Sequence, residues 1–193
     1  MSKHDNLRRR RPTQKPYPRI LIVSEGTVTE PGYFQEMQRV ERRQVALKFE
    51  SGMTPMTAVE TAIRMSRGYA QVWCLFDIDT HPRVPDARQQ ARDHDIDLAI
   101  SNPCFELWAL LHYQDQRAQI SGTRLRELCG RHMPDYEKLL PFDDLFPHIE
   151  EATRRAEELE QMHERNATAG ENPSTGVHRL VRFIRSHRLR FER

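Results

Sequence analysis

The run Gln71-Val72-Trp73-Cys74-Leu75-Phe76-Asp77-Ile78-Asp79-Thr80-His81 decides how the chain is read. The apolar stretch Val72–Phe76 is far too short to cross a membrane and suits a strand buried on both faces. Two acids then fall where that strand leaves its sheet. Side chains alternate along a strand, so Asp77 and Asp79 share a face and one divalent cation can reach both. A turn in which Asp79 caps the following loop uses the same residues, and a lone Asp-x-Asp does not choose between them.

A second apolar run supplies another acid. Ile20-Leu21-Ile22-Val23-Ser24 leads into Glu25 and then Gly26, where the missing side chain permits a close backbone approach. In an open parallel sheet, functional groups collect at the carboxyl ends of strands, so Glu25 is expected to meet Asp77 and Asp79 despite their separation in sequence. Three converging carboxylates repel one another, and Mg²⁺ or Mn²⁺ is the natural counter-charge.

Working outward, Thr29 reads as the N-cap and Pro31 as a first-turn residue of a helix to about Arg43, with Tyr33, Phe34, Met37 and Val40 inward. Val45–Glu50 is a short strand, and Thr54-Pro55 opens a second helix that ends at Gly68. A polar helix over Asp86–His94 and a strand over Ile96–Ile100 follow. This alternation specifies an α/β fold with a doubly wound parallel sheet. From Gln114 the pattern is helical: Thr123–His132, a short Tyr136–Leu140, a long Asp144–Ala167, and a last helix opened by Ser174 or Thr175. The expected organisation is a flexible basic arm over 1–18, an α/β core over 19–113, and a helical region over 114–193 packed on it.

Several further residues are candidates. Glu30, in the first turn of its helix, either complements the helix dipole or serves as a further metal or water ligand. Glu106 lies in an unusually apolar helix, where an unpaired carboxylate is costly and a cation or arginine partner removes the cost. Asn102 presents its amide to substrate or caps the helix after Pro103. His81 is a loop residue open to a phosphate contact, although an exposed histidine commonly does nothing specific. Ser174 and Thr175 form an anion site at a helix N-terminus or simply cap it, and His178 is placed for phosphate contact or proton transfer.

With 193 residues the chain suits one domain of ordinary size. A formal net charge of +2 conceals basic blocks at Arg8–Arg11 and at Arg179, Arg182, Arg185, Arg188, Arg190 and Arg193. Guanidinium groups bind phosphate bidentately, so Arg182 and Arg185 are candidate nucleic-acid contacts; a surface of solvated ion pairs explains the same composition. Cys74, Cys104 and Cys129 have no CxxC spacing, which favours free thiols, no zinc or disulfide framework, and the cytoplasm as compartment. No signal peptide or membrane span is expected.

The blocks Ile20-Leu21-Ile22-Val23-Ser24-Glu25-Gly26 with Thr29-Glu30-Pro31-Gly32-Tyr33-Phe34, Phe76-Asp77-Ile78-Asp79, Ser101-Asn102-Pro103-Cys104-Phe105-Glu106-Leu107-Trp108 and Asn172-Pro173-Ser174-Thr175-Gly176-Val177-His178 occur in that order. Together, over roughly Arg19 to Ile184, they resemble the RloB-like family. Ser24 departs from the cysteine expected there before Glu-Gly, beside the metal site and not within it. The resemblance implies a Toprim-like nuclease of bacterial phage-defence and restriction loci, acting in abortive infection and often encoded beside a partner ATPase. On that reading Glu25, Asp77 and Asp79 hold Mg²⁺ or Mn²⁺ while Glu106 orients a water or a second metal. Two other classes compete. A receiver-like signalling domain wants a lysine after a fifth strand, and Lys3, Lys15, Lys48 and Lys138 are not so placed. A non-catalytic nucleic-acid or nucleotide binder keeps the arginines and leaves the acids unexplained. DNA against RNA, and a homodimer against a monomer, are left open by the sequence.

Overall fold

The computed structural model describes residues 19–41, 45–49, 53–78, 83–134, 136 and 139–186. The basic arm, Asp79, His81, Glu137 and Lys138 of the expected Tyr136–Leu140 helix, and the arginines beyond Ser186 lie outside the described residues; Tyr136, Leu139 and Leu140 are described and are not helical.

Strands β1 (Ile20–Ser24), β2 (Val45–Phe49), β3 (Gln71–Asp77) and β4 (Asp97–Asn102) pair in parallel in the order β2-β1-β3-β4. β1, β3 and β4 are runs of apolar residues with buried middles, as parallel strands covered on both faces require. The connections run through α1 (Thr29–Glu41), α2 (Pro55–Met65) and α3 (Val84–Asp93). The chain leaves β1 toward β2 and, after β3, continues to the other side. Sheet order therefore reverses between β1 and β3, and this is where ligands bind in open α/β sheets.

Alternation along the strands divides the core in two. Leu21, Val23, Val72, Cys74 and Phe76 pack with Ala58, Val59 and Ala62 of α2 and Ala87 and Ala91 of α3. Ile20, Ile22, Trp73 and Leu75 face α1 and every helix after β4. Those are α4 (Glu106–Leu111), α5 (Gly122–His132), α6 (Phe142–Leu145), α7 (Ile149–Arg165) and α8 (Val177–Ser186). A six-residue helix such as α4 has little stability of its own, so packing holds it: Leu107 through Leu111 are each 0% exposed. Each leucine buried there contributes about 2 kcal/mol of transfer free energy.

Two expectations need correction. The long helix expected over Asp144–Ala167 is broken into α6, a 3₁₀ turn at Phe146–His148 containing Pro147, and α7. Ser174 and Thr175 do not begin a helix; they form β5, antiparallel to β4 through Ser101↔Thr175 and Asn102↔Ser174. No described helix is long and apolar enough to cross a membrane.

His112, 2% exposed at the end of α4, sits with Nδ1 2.9 Å from the Trp108 carbonyl and Nε2 3.5 Å from the Tyr33 hydroxyl. Nδ1–H donates to the carbonyl, which leaves Nε2 to accept. Burial lowers this imidazole from 6.5 to about 4. Between those values the unfolded chain binds the proton and the folded one does not, so the contribution is complete above pH 6.5 and is lost as pH falls toward 4. Urea midpoints should drop across that window, and His112→Gln should flatten the drop. An undiminished acid-side loss in the variant would place the sensitivity elsewhere.

Candidate active site

Past the last residue of β1 the pairing with β3 continues for one step, since the Glu25 amide donates to the Leu75 carbonyl at 3.2 Å. The Ser24 hydroxyl donates to the Gly26 carbonyl at 3.3 Å and braces the turn. Gly26 is required by what lies over it: a Cβ there would fall on the carboxylate of Glu30, which folds back from the first turn of α1. Glu30 is buried, and burial raises its carboxyl, partly offset by its own backbone amide and reinforced by the charges of Glu106 and Glu25. The sequence alternatives for Glu30 were a dipole partner and a site acid; its position fits both at once.

Asp77 closes β3 opposite Ser101 of β4, and the Ile78 amide donates to the Ser101 carbonyl at 2.9 Å. The Phe105 amide donates to the Asp77 carboxylate, tying the end of β3 to the entry of α4. Burial raises the Asp77 carboxyl well above its ordinary value, and the charges of Glu30, Glu106 and Glu25 raise it further against that one hydrogen bond. Glu25, Glu30, Asp77 and Glu106 thus come from four separate elements to one end of the sheet, near enough to act on one another.

Glu106 has a partner that sequence reasoning missed. The Tyr136 hydroxyl donates to Glu106 Oε1 at 3.3 Å and is itself hydrogen-bonded by the Thr29 side chain at the start of α1. No local pattern marks Tyr136, which reaches the site from thirty residues downstream in sequence. Cys104 hydrogen-bonds to Glu106, and burial with that carboxylate holds its thiol protonated, which disfavours it as a nucleophile.

The other sequence candidates lie apart from the acids in their bonding. The Asn102 amide donates to the Gly170 carbonyl at 3.0 Å and neither caps a helix nor stands open. Thr175 is buried with its hydroxyl 3.1 Å from that of Ser101, and Ser174 is its neighbour in β5. His178 is 1% exposed, with Nε2 3.1 Å from Glu160 and Nδ1 3.0 Å from the Thr175 carbonyl, so both ring nitrogens face acceptors. Arg182 pairs with Glu157, while Arg185 pairs with buried Glu41 at 3.0 Å and with Glu150. These two arginines join α8 to α7 and α1.

The donor set is one of oxygen atoms, which suits a hard divalent cation such as Mg²⁺ or Mn²⁺. Among the described residues no three acid, histidine or cysteine groups are already spaced to chelate an ion. Asp79, the second acid of the Asp-x-Asp pair, is outside them.

Among known families, a model described as RloB-like protein matches residues 20–184. No curated protein and no solved structure matches the chain.

Asp77 generates a stability prediction. Its raised carboxyl means that the folded state holds this proton to higher pH than the unfolded chain. Stability therefore falls as pH rises above the ordinary carboxylate value, until the folded-state carboxyl itself ionises. Without metal, Asp77→Asn should melt a few degrees above the parent at neutral pH, and the gap should narrow on acidification. A lower melting temperature for the variant would mean that the carboxylate is paired.

Proposed function

The chain belongs to the RloB-like family, and from that footing we propose that it is a Toprim-like, Mg²⁺- or Mn²⁺-dependent nuclease that hydrolyses nucleic-acid phosphodiesters. The observation that carries this reading is that, among the described residues, the charges bearing on half-buried Asp77 are the three carboxylates of Glu30, Glu106 and Glu25. Such an arrangement is costly alone and becomes favourable around a cation. Its position at the reversal of strand order between β1 and β3 supports the same reading.

Glu25 and Asp77, with Asp79 two residues after Asp77 in sequence, would hold the cation. When bound, that ion supplies Lewis acidity that offsets the negative charge of a phosphoryl group in transfer. Glu106, held at Oε1 by Tyr136, orients the attacking water and accepts its proton. Glu30, pressed against Gly26, fixes the turn that carries Glu25. The apolar faces of β1, β3 and α4 exclude bulk water from behind these groups. The family resemblance adds a setting, anti-phage defence in the bacterial cytoplasm with a partner ATPase, and this belongs to the proposal.

Purified protein, assayed on DNA, structured RNA and tRNA with and without the neighbouring ATPase, should cleave at least one substrate with Mg²⁺ or Mn²⁺ and none in EDTA. Asp77→Asn and Glu25→Gln should each lower the rate by about 100-fold or more. Glu106→Gln should lower kcat more than it alters KM, because it acts on the water and not on substrate binding. Binding without cleavage of any substrate in either metal would contradict the assignment.

A further inference from the structure

A cavity of about 420 Å³ opens along the edge of the sheet, and none of Glu25, Glu30, Asp77 and Glu106 lines it. β5 pairs only with Ser101 and Asn102, and the Gly176 amide donates to the Ile100 carbonyl at 2.8 Å, so among the described residues no strand covers the outer edge of β4 from Asp97 to Ala99. α3, α7 and the start of α8 wall that stretch, and the space has the size of a small-ligand site.

Its cationic side is unusual. Arg88 is half-buried, yet it makes no hydrogen bond or ion pair with any described residue. Burial first, then the guanidinium groups of Arg179 and Arg92, disfavour its charge. A guanidinium does not lose its proton under such pressure, so the repulsion stands until an anion relieves it. Arg92 is tied to Gln89, and Arg179 has only a 3.6 Å contact with Glu160.

Two glycines make room for these side chains. At Gly170, whose φ is +83°, a Cβ would stand 3.1 Å from Arg88 Nη2. At Gly176 it would stand 2.8 Å from Arg179 Nη2 and 3.2 Å from the Ile100 amide nitrogen. Trp73, 6% exposed, contributes an apolar face to the same cavity. Of the acids present, Asp97 already accepts from Gln71, Glu160 is engaged by His178 and Arg179, and Glu164 stands exposed on the rim.

We propose that this cavity binds a phosphate monoester carried on a hydroxylated body of nucleotide size, with Arg88 and Arg179 on the phosphate and Glu164 toward ligand hydroxyls. Guanidinium pairs grip phosphate oxygens bidentately, which matches two arginines laid on bare glycine backbone. The ligand is either a free nucleotide or the phosphorylated end of a nucleic acid, which present the same group.

The test uses the full chain in EDTA, so that it stands or falls independently of the metal-dependent reading. Calorimetric titration with inorganic phosphate, AMP, adenosine, and one short oligonucleotide with and without a 5′-phosphate gives the arms. AMP or the phosphorylated oligonucleotide should bind, and the matching species without phosphate should bind about tenfold more weakly or not at all. Preference for the phosphorylated oligonucleotide over AMP identifies a nucleic-acid end as the source; preference for AMP identifies a free nucleotide. Arg88→Gln should weaken binding about tenfold while raising the melting temperature of the ligand-free protein, because it removes a repelled cation and no ion pair. The proposal is overturned if Arg88→Gln binds like the parent, if no phosphate-bearing species binds, or if the variant melts lower, as a structural arginine would require.

Discussion

Like charges held together out of water form the constraint on which the rest of the molecule depends. Glu30 is buried and Asp77 half-buried, each raised by that burial and then by the acids around it, and four chain segments must stay packed to keep them there. The packing that does so is apolar. Ile20–Val23, Val72–Phe76 and Leu107–Leu111 are almost wholly enclosed, and each of these runs lies directly before or behind an acid. Elsewhere the chain pairs its charges freely. Arg154 meets Glu151 and Glu158, and Arg117 meets Glu158. Exposed pairs of that kind are worth about 0–1 kcal/mol each, so they shape the surface without holding the fold. The contrast between paired surface charges and four acids gathered at one strand end is what gives the site its chemical meaning.

The architecture explains why the acids can gather at all. β1 and β3 are neighbours in the sheet although a whole strand and two helices separate them in sequence. Their carboxyl ends therefore deliver Glu25 and Asp77 side by side, while α1 starts with Glu30 on the same rim and α4 starts with Glu106. Tyr136 and Thr29 link the two helix starts through Glu106, so the rim is closed by hydrogen bonds as well as by packing. At the other edge, β5 covers only two residues of β4, and the uncovered remainder becomes the wall of the arginine-lined cavity.

What the sequence made legible follows from how local each signal is. β1, β3 and β4 could be read because strands buried on both faces are unbroken apolar runs, and the acids at their ends interrupt those runs. Helices α1 and α2 carried prolines in their first turns and α2 its Thr54 cap, whereas Thr29, read as the cap of α1, is its first helical residue. β5 carried no such signal. Two residues with adjacent serine and threonine look like a helix cap, and only the long-range pairing with Ser101 and Asn102 makes them a strand. The basic tail was ambiguous for a similar reason: Arg182 and Arg185 have the spacing of a phosphate-binding face, but Glu157, Glu41 and Glu150 that take them come from other helices. Tyr136 and Arg88 were invisible because their importance lies in what approaches them through space.

One cation held between the strand ends is the centre of the proposed chemistry, and a crystal structure grown with Mn²⁺ and measured at the manganese absorption edge tests for it most directly. The prediction is an anomalous peak within ligating distance of the Glu25 and Asp77 carboxylates, with Tyr136 still bonded to Glu106. A map without a peak at the ends of β1 and β3, or with these carboxylates turned apart toward arginine partners, would contradict it.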